Sequence, residues 1–178
     1  LDEELPDLKL FASAEVDILE DGSLDYDDEL LSTLDFVIAS LHTKLELSRK
    51  KQTERLLKAI GHPLVSVIAH PTSRRIGRRE ECKLDMDRII DACASENVAL
   101  EINANPERLD LKPAYAREAR DAGVTIVIST DTHAPANLGY MKWGIETARR
   151  AWLEPGDVLN TRSAEEVYKT LSRSDAGD

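Results

Sequence analysis

Three of the four histidines in this sequence stand at or just behind short apolar runs. His42 closes the stretch that begins at Phe36, His70 follows Val65–Ala69, and His133 comes shortly after Thr125–Ser129. Carboxylates hold comparable places: Glu15 and Asp17 in the first run, Glu101 in the fourth, Asp131 after the fifth. Imidazole nitrogen combined with carboxylate oxygen suits Zn²⁺, Mn²⁺ or Fe²⁺. Calcium would want more oxygen, and magnesium seldom recruits several imidazoles. The chemistry this composition favours is metal-assisted hydrolysis. A single strand-end histidine is more often structural than a ligand, but three of them beside acidic residues reverse that preference. Residues two apart in an extended segment share a side, so Asp131 and His133 can face one centre, as can Glu15 and Asp17, or Glu101 and Asn103. A carboxylate among histidines can also bridge two ions, and Glu15 and Asp131 are the candidates. His62, at a helix end before Pro63, is given no role.

Other catalytic chemistries find less support. The sequence has no GxSxG elbow for a serine nucleophile, and neither GxGxxG nor GxxxxGK[ST] for phosphate binding through glycine-rich backbone. Cys82 and Cys93 form no CxxC pair and are expected to be reduced and uninvolved. Arg74, Arg75, Arg78 and Arg79 cluster behind the third run. Guanidinium forks match phosphate oxygens, so Arg74, Arg75 and Arg78 are candidates to grip substrate; a solvated loop pairing with Glu80 and Glu81 is the alternative. Asn103 either orients substrate or satisfies local backbone. Asp17 and Glu101 are candidates to hold ligand histidines from behind. Trp143 and Trp152 fall on late helices and are expected to pack into the core rather than stack on bases.

These residues need elements to position them. Apolar runs at Leu10–Leu19, Phe36–Leu41, Val65–Ala69, Val98–Ile102 and Thr125–Ser129 read as five strands. Between and after them, a short acidic helix at Tyr26–Thr33 and helices at Ser48–Ile60, Asp85–Glu96, Pro113–Ala122, Met141–Ala151 and Ala164–Leu171 are expected. Continuous apolar strands separated by helices imply a parallel sheet buried on both faces, with right-handed crossovers. In such sheets and barrels the active site lies at the carboxyl ends of the strands, where the polar residues above fall. The tail Ser172–Asp178 is expected to fray.

The bulk numbers fit this reading. At 178 residues, 42% hydrophobic and 32% charged, the chain has the composition of one globular domain. It is short for a complete eight-fold α/β barrel of about 250 residues. With 23 basic and 34 acidic residues and a net charge of −11, it lacks the overall basic footprint of a plain DNA-binding module. No apolar run is long enough to span a bilayer, and no signal peptide opens the sequence, so a cytoplasmic location without membrane partners is expected.

The glutamate of Ala14-Glu15-Val16-Asp17, the histidine of Ala39-Ser40-Leu41-His42, the Ala69-His70-Pro71 turn and Asp131-Thr132-His133 resemble, in order, the motifs of the PHP (polymerase and histidinol phosphatase) family. Gly77-Arg78-Arg79-Glu80, Leu100-Glu101-Ile102-Asn103-Ala104, Ala148-Arg149-Arg150-Ala151-Trp152 and Asp157-Val158-Leu159-Asn160-Thr161 bring the resemblance nearest to the C-terminal PHP domain of family-X DNA polymerases. The resemblance implies a distorted TIM-like (β/α)7 barrel, of which residues 1–178 would be the C-terminal portion, about the last five β/α units. It implies Glu15, His42, His70, Asp131 and His133 as metal ligands for up to three Zn, Mn or Fe ions. The family's opening HxH motif would lie before Leu1, with the early strands. The implied activity is phosphoester hydrolysis by metal-activated water with no separate protein base, as a 3′–5′ exonuclease or 3′-end phosphatase on DNA beside a polymerase domain. A small-molecule phosphatase of the histidinol-phosphatase type and a truncated, non-catalytic interaction domain are the alternatives.

Overall fold

The computed structural model describes residues 8–173; the polar tail beyond Arg173 lies outside the described residues. Five strands form one parallel sheet: β1 (Ser13–Asp17), β2 (Phe36–Ser40), β3 (Val65–Ile68), β4 (Ala99–Asn103) and β5 (Ile126–Ser129), in the order β1-β2-β3-β4-β5. Spatial order therefore equals chain order, and every carboxyl end points to one rim. The register aligns Asp17 with Ser40 and Asn103 with Ser129 at that rim. β1 and β5 are the edges among the described residues, and β5 is partly covered by a bridge from Ile126 to Val158.

The helices are α1 (Asp28–Leu31), α2 (Arg49–Ile60), α3 (Met86–Glu96), α4 (Pro113–Asp121), α5 (Met141–Arg150) and α6 (Ala164–Leu171). Local chemistry sets their ends. Ser48 accepts the Lys51 N–H at the start of α2, and Gly61 closes it. Ser163 and Glu166 cap α6 reciprocally, so two otherwise orphaned N–H groups find acceptors. Pro113 opens α4, where its missing N–H costs nothing. α1 is shorter than expected, a single turn capped by Asp27.

The two faces of the sheet are unequal. On one, the helices pack Leu56, Ile60, Ile89, Ala116 and Ala119 against Val16, Val37, Ile68, Leu100, Ile102 and Ile126. On the other, a small cluster of Val67, Ala99, Leu159 and Leu171 is flanked by the half-buried Phe36, Ile38 and Val127. Cys82 and Cys93 are buried and free, as expected. Among the described residues no helix is long and apolar enough to cross a membrane.

α5 approaches β4 and β5 closely because it presents small residues. Gly144, Thr147 and Ala148 are its buried positions. A Cβ built on Gly144 would stand 2.4 Å from Ile128 Cγ2 and 2.9 Å from Ala104 Cβ. The stiff β-branched side chain and the alanine leave little room to yield. Gly144→Ala should therefore destabilise the chain by about 1–2 kcal/mol, as a clash with both neighbours puts the overpacking cost at about 2–3 kcal/mol, the upper part of its usual range, against a helix-propensity gain of about 1 kcal/mol. Urea unfolding would measure it, and an unchanged midpoint would refute the close contact.

The same close approach corrects one expectation. Trp143 and Trp152 are not core residues: they are 43% and 71% exposed. The space behind α5 is filled by its small residues and by the sheet, so the Trp143 indole turns outward with Lys142 over its ring, while Trp152 stands past the end of α5, at φ 63°, with Arg117 over its ring.

Candidate metal centre

Three of the five residues singled out by sequence converge at the carboxyl rim. Glu15 Oε1 lies 2.9 Å from His70 Nε2 and 3.4 Å from His42 Nε2. One donor atom from each of the three residues falls within a mutual 4.8 Å. Donors about 2.0–2.2 Å from a shared tetrahedral ion stand roughly 3.3–3.6 Å apart, so the two contacts of Glu15 lie within a few tenths of an ångström of what a shared transition metal needs. The strands explain the meeting: β1 delivers Glu15, and the segments leaving β2 and β3 deliver His42 and His70 to the same side.

The surroundings of each donor reinforce its direction. Asp17 Oδ1 accepts a hydrogen bond from His42 Nδ1 and so turns Nε2 toward Glu15. Hydrogen bonds from His42 and then His70 hold the Glu15 carboxyl well below the usual carboxylate range. Conversely, Glu15 and Asp17 raise the His42 pKa against the opposing effect of burial. His70 is buried, and its backbone sits in the left-handed region at φ 28°. That conformation costs on the order of 1 kcal/mol or more for a non-glycine residue. It is locked by the Ser73 N–H donating to the His70 carbonyl at 2.8 Å and by the His70 N–H donating to Glu101 Oε2 at 2.6 Å. Glu101 thus holds the His70 backbone rather than its ring. Its other oxygen accepts from Ser129, and burial pushes its pKa up.

Asp131 and His133 line the same cavity of about 630 Å³ as the triad, but stand outside its donor cluster. Asp131, at φ 50°, has Oδ2 3.4 Å from Arg108 Nε and Oδ1 3.5 Å from His133 Nδ1. The His133 side chain is 83% exposed, and its Nδ1 lies 2.8 Å from the Asp131 carbonyl.

No family model matches the chain. A DNA polymerase/3′-5′ exonuclease PolX from Bacillus subtilis strain 168 is 43% identical over 175 residues, 98% of this chain and 31% of that protein. A probable phosphatase from Thermoanaerobacter sp. strain X514 is 28% identical over 171 residues, covering 90% of this chain and 67% of that protein. A probable phosphatase from Shewanella oneidensis is 31% identical over 127 residues, 67% of this chain and 48% of that protein. These matches fit a PHP-type domain. The chain spans about a third of the length of the B. subtilis relative.

The basic loop behind β3 divides its work. Arg74 donates to the carbonyls of Arg108 and Leu109, and Arg79 donates to the Ser73 carbonyl, so both tie loops together. Arg78 pairs with Glu107 at 3.2 Å on the surface. Arg75 is the member of the cluster that lines the triad's cavity. Asn103 holds local backbone, its Oδ1 accepting the Asn105 N–H at 3.0 Å. His62, left without a role, pairs with the exposed Asp28 at 3.2 Å.

Sequence reading missed Arg108, a buried guanidinium on the cavity wall paired with Asp131. It lies in the irregular loop after β4, outside any periodic pattern. A buried arginine beside a donor triad is suited to bind an anion such as a phosphoryl group.

Proposed function

We propose that the chain is a metal-dependent phosphoesterase domain that acts on the 3′ end of DNA, as the PHP portion of a family-X polymerase. The observation that carries this reading is the Glu15–His42–His70 donor triad at the carboxyl rim of a parallel sheet. The sequential strand order supports a segment of a (β/α)7 barrel, with residues 1–178 as its later part. Glu15, His42 and His70 would hold one divalent ion, and Asp131 and His133 would serve a neighbouring one across the same cavity. Bound ions would supply Lewis acidity toward a phosphoryl oxygen and acidify an attacking water. The protein's own share is placement. Asp17 orients His42, Glu101 fixes the turn bearing His70, and Arg108 and Arg75 present guanidinium groups to the phosphate. The DNA substrate is favoured by the 43% identity to a protein named for polymerase and exonuclease activity.

The test pairs two substrates with Mn²⁺ or Zn²⁺ supplied: a 5′-labelled oligonucleotide and a small phosphate monoester. Metal-dependent trimming from the 3′ end, abolished by EDTA, is expected. Rapid monoester turnover without trimming would replace the DNA reading with a small-molecule phosphatase. That second reading draws on the probable phosphatases aligned over much of the chain and on its net charge of −11.

A further inference from the structure

Six buried side-chain polar atoms among the described residues lack a hydrogen-bond partner, and five sit at the carboxyl end of β4 or in the rim segments after β3 and β4. They are His70 Nδ1, Thr72 Oγ1, Asn103 Nδ2, Arg108 Nη1 and Asp110 Oδ1; the sixth is Arg173 Nε. Unpartnered buried polar atoms are uncommon in folded proteins, and each needs a reason. Five at one rim beside the candidate metal centre share one.

Asp110 is fully buried and built into place. Its carbonyl accepts the Asn103 N–H at 2.6 Å, and the next residue, Leu111, donates its N–H to the Glu101 carbonyl at 3.0 Å. One carboxylate oxygen, Oδ2, accepts the Thr72 N–H at 3.0 Å, on the turn that carries His70. The Thr72 side chain thus springs from the backbone segment that this carboxylate holds. His70 meanwhile commits Nε2 to the Glu15 side and leaves Nδ1 facing the protein interior.

The hydrogen-bonding capacities of these atoms fix how they can be joined. A neutral imidazole offering Nε2 as a lone-pair donor carries its proton on Nδ1, and that N–H needs an acceptor. Asn103 Nδ2 and Arg108 Nη1 are donors only. Asp110 Oδ1 is the one pure acceptor of the five, and a threonine hydroxyl both accepts and donates. We propose that Thr72 and Asp110 are positioning residues for His70, through a relay in which His70 Nδ1–H donates to Thr72 Oγ1 and the Thr72 O–H donates to Asp110 Oδ1. The relay would satisfy three of the five atoms. It fixes the His70 tautomer so that Nε2 presents its lone pair beside Glu15. Glu101, the carboxylate that sequence spacing suggested for this task, is already occupied by the His70 backbone N–H and by Ser129.

The inference rests on the reading of His70 as a metal ligand, and two measurements keep the two apart. Thr72→Val keeps the shape and removes the hydroxyl; Thr72→Ser restores it; Asp110→Asn removes the charge while leaving an acceptor for the Thr72 amide. Zn²⁺ affinity by chelator competition is expected to fall about 10–100-fold in Thr72→Val and Asp110→Asn, at unchanged stoichiometry, and to return in Thr72→Ser. ¹H–¹⁵N spectra of the Zn²⁺-loaded chain are expected to show a hydrogen-bonded, exchange-protected His70 Nδ1–H in the parent and Thr72→Ser, and an unprotected one in Thr72→Val. Parent-like affinity together with a protected Nδ1–H in Thr72→Val would overturn the relay alone. A parent chain that binds no Zn²⁺ would defeat the metal reading and the relay with it. Should Asp110→Asn fail to fold, the valine and serine variants at position 72 carry the test.

Discussion

Glu15→Gln is expected to lower divalent-metal affinity by at least about a hundredfold, beyond the 10–100-fold typical of removing a residue behind a ligand, and to lower any phosphoesterase turnover in step. Glu15 is the shared vertex of the donor triad, 2.9 Å from His70 Nε2 and 3.4 Å from His42 Nε2. Glutamine keeps the volume and one carbonyl oxygen. It removes the negative charge that offsets the cation, and its amide can turn N–H donors toward two imidazoles whose lone pairs the ion requires. The side chain stands at the open end of an edge strand, outside the packed core. Circular dichroism should therefore stay close to that of the parent and the metal-free melting curve should drop only by the lost pairing with His42 and His70, while calorimetric metal titration collapses. A Glu15→Gln chain that binds Mn²⁺ or Zn²⁺ like the parent would remove Glu15 from the site. Asp131→Asn separates the residues across the cavity from the triad. It should reduce the number of ions bound while leaving the triad's own ion in place, since Asp131 stands outside that donor cluster.

The strands and main helices were legible because burial on both faces imposes continuous apolar runs, and because caps such as Ser48, Ser163 and Pro113 announce helix starts. Glu15, His42 and His70 were legible for a related reason: in a parallel sheet the polar residue that ends a buried run emerges at the functional rim. Arg108 and Asp110 were not. They sit in a loop without periodicity, and their meaning comes from partners far away in sequence, Asp131 and the turn at Thr72. The arginine cluster illustrates the same limit, since residue type announced four cations but not that Arg74 and Arg79 spend theirs on backbone carbonyls. The two tryptophans were misread because apolar side chains on a helix suggest an inward face. In α5 the inward face belongs to Gly144, Thr147 and Ala148, whose small size brings the helix so near the sheet that the Trp143 indole has nowhere to go but out, and Trp152 falls beyond the helix end.

Metal binding should strengthen with pH across the range in which His42 loses its proton. Glu15 and then Asp17 raise the His42 pKa above its ordinary value of about 6.5. A raised pKa means that the ion pair stabilises the metal-free chain fully below about pH 6.5 and that this contribution is lost as pH rises through the folded value. Glu15 is shifted the other way, so its contribution is present above the ordinary carboxylate pKa of about 4.3 and is lost as pH falls through the depressed value. The metal-free site is thus best satisfied at mildly acidic pH, with Glu15 ionised and His42 charged. A divalent ion needs the opposite state of His42, because the coordinating nitrogen must first give up its proton. Below the raised pKa, affinity should rise by about tenfold per pH unit for that single proton, then level off. The measurable consequence is an increase in melting temperature on adding Mn²⁺ that grows from pH 6 to pH 8, with proton release detectable in buffers of different ionisation enthalpy. Replacing His42 by Gln should flatten that growth while leaving a weaker metal response through Glu15 and His70. A metal-induced shift of equal size at pH 6 and pH 8 in the parent chain would mean that His42 does not compete with the ion for its own proton, and would place the metal elsewhere on the rim.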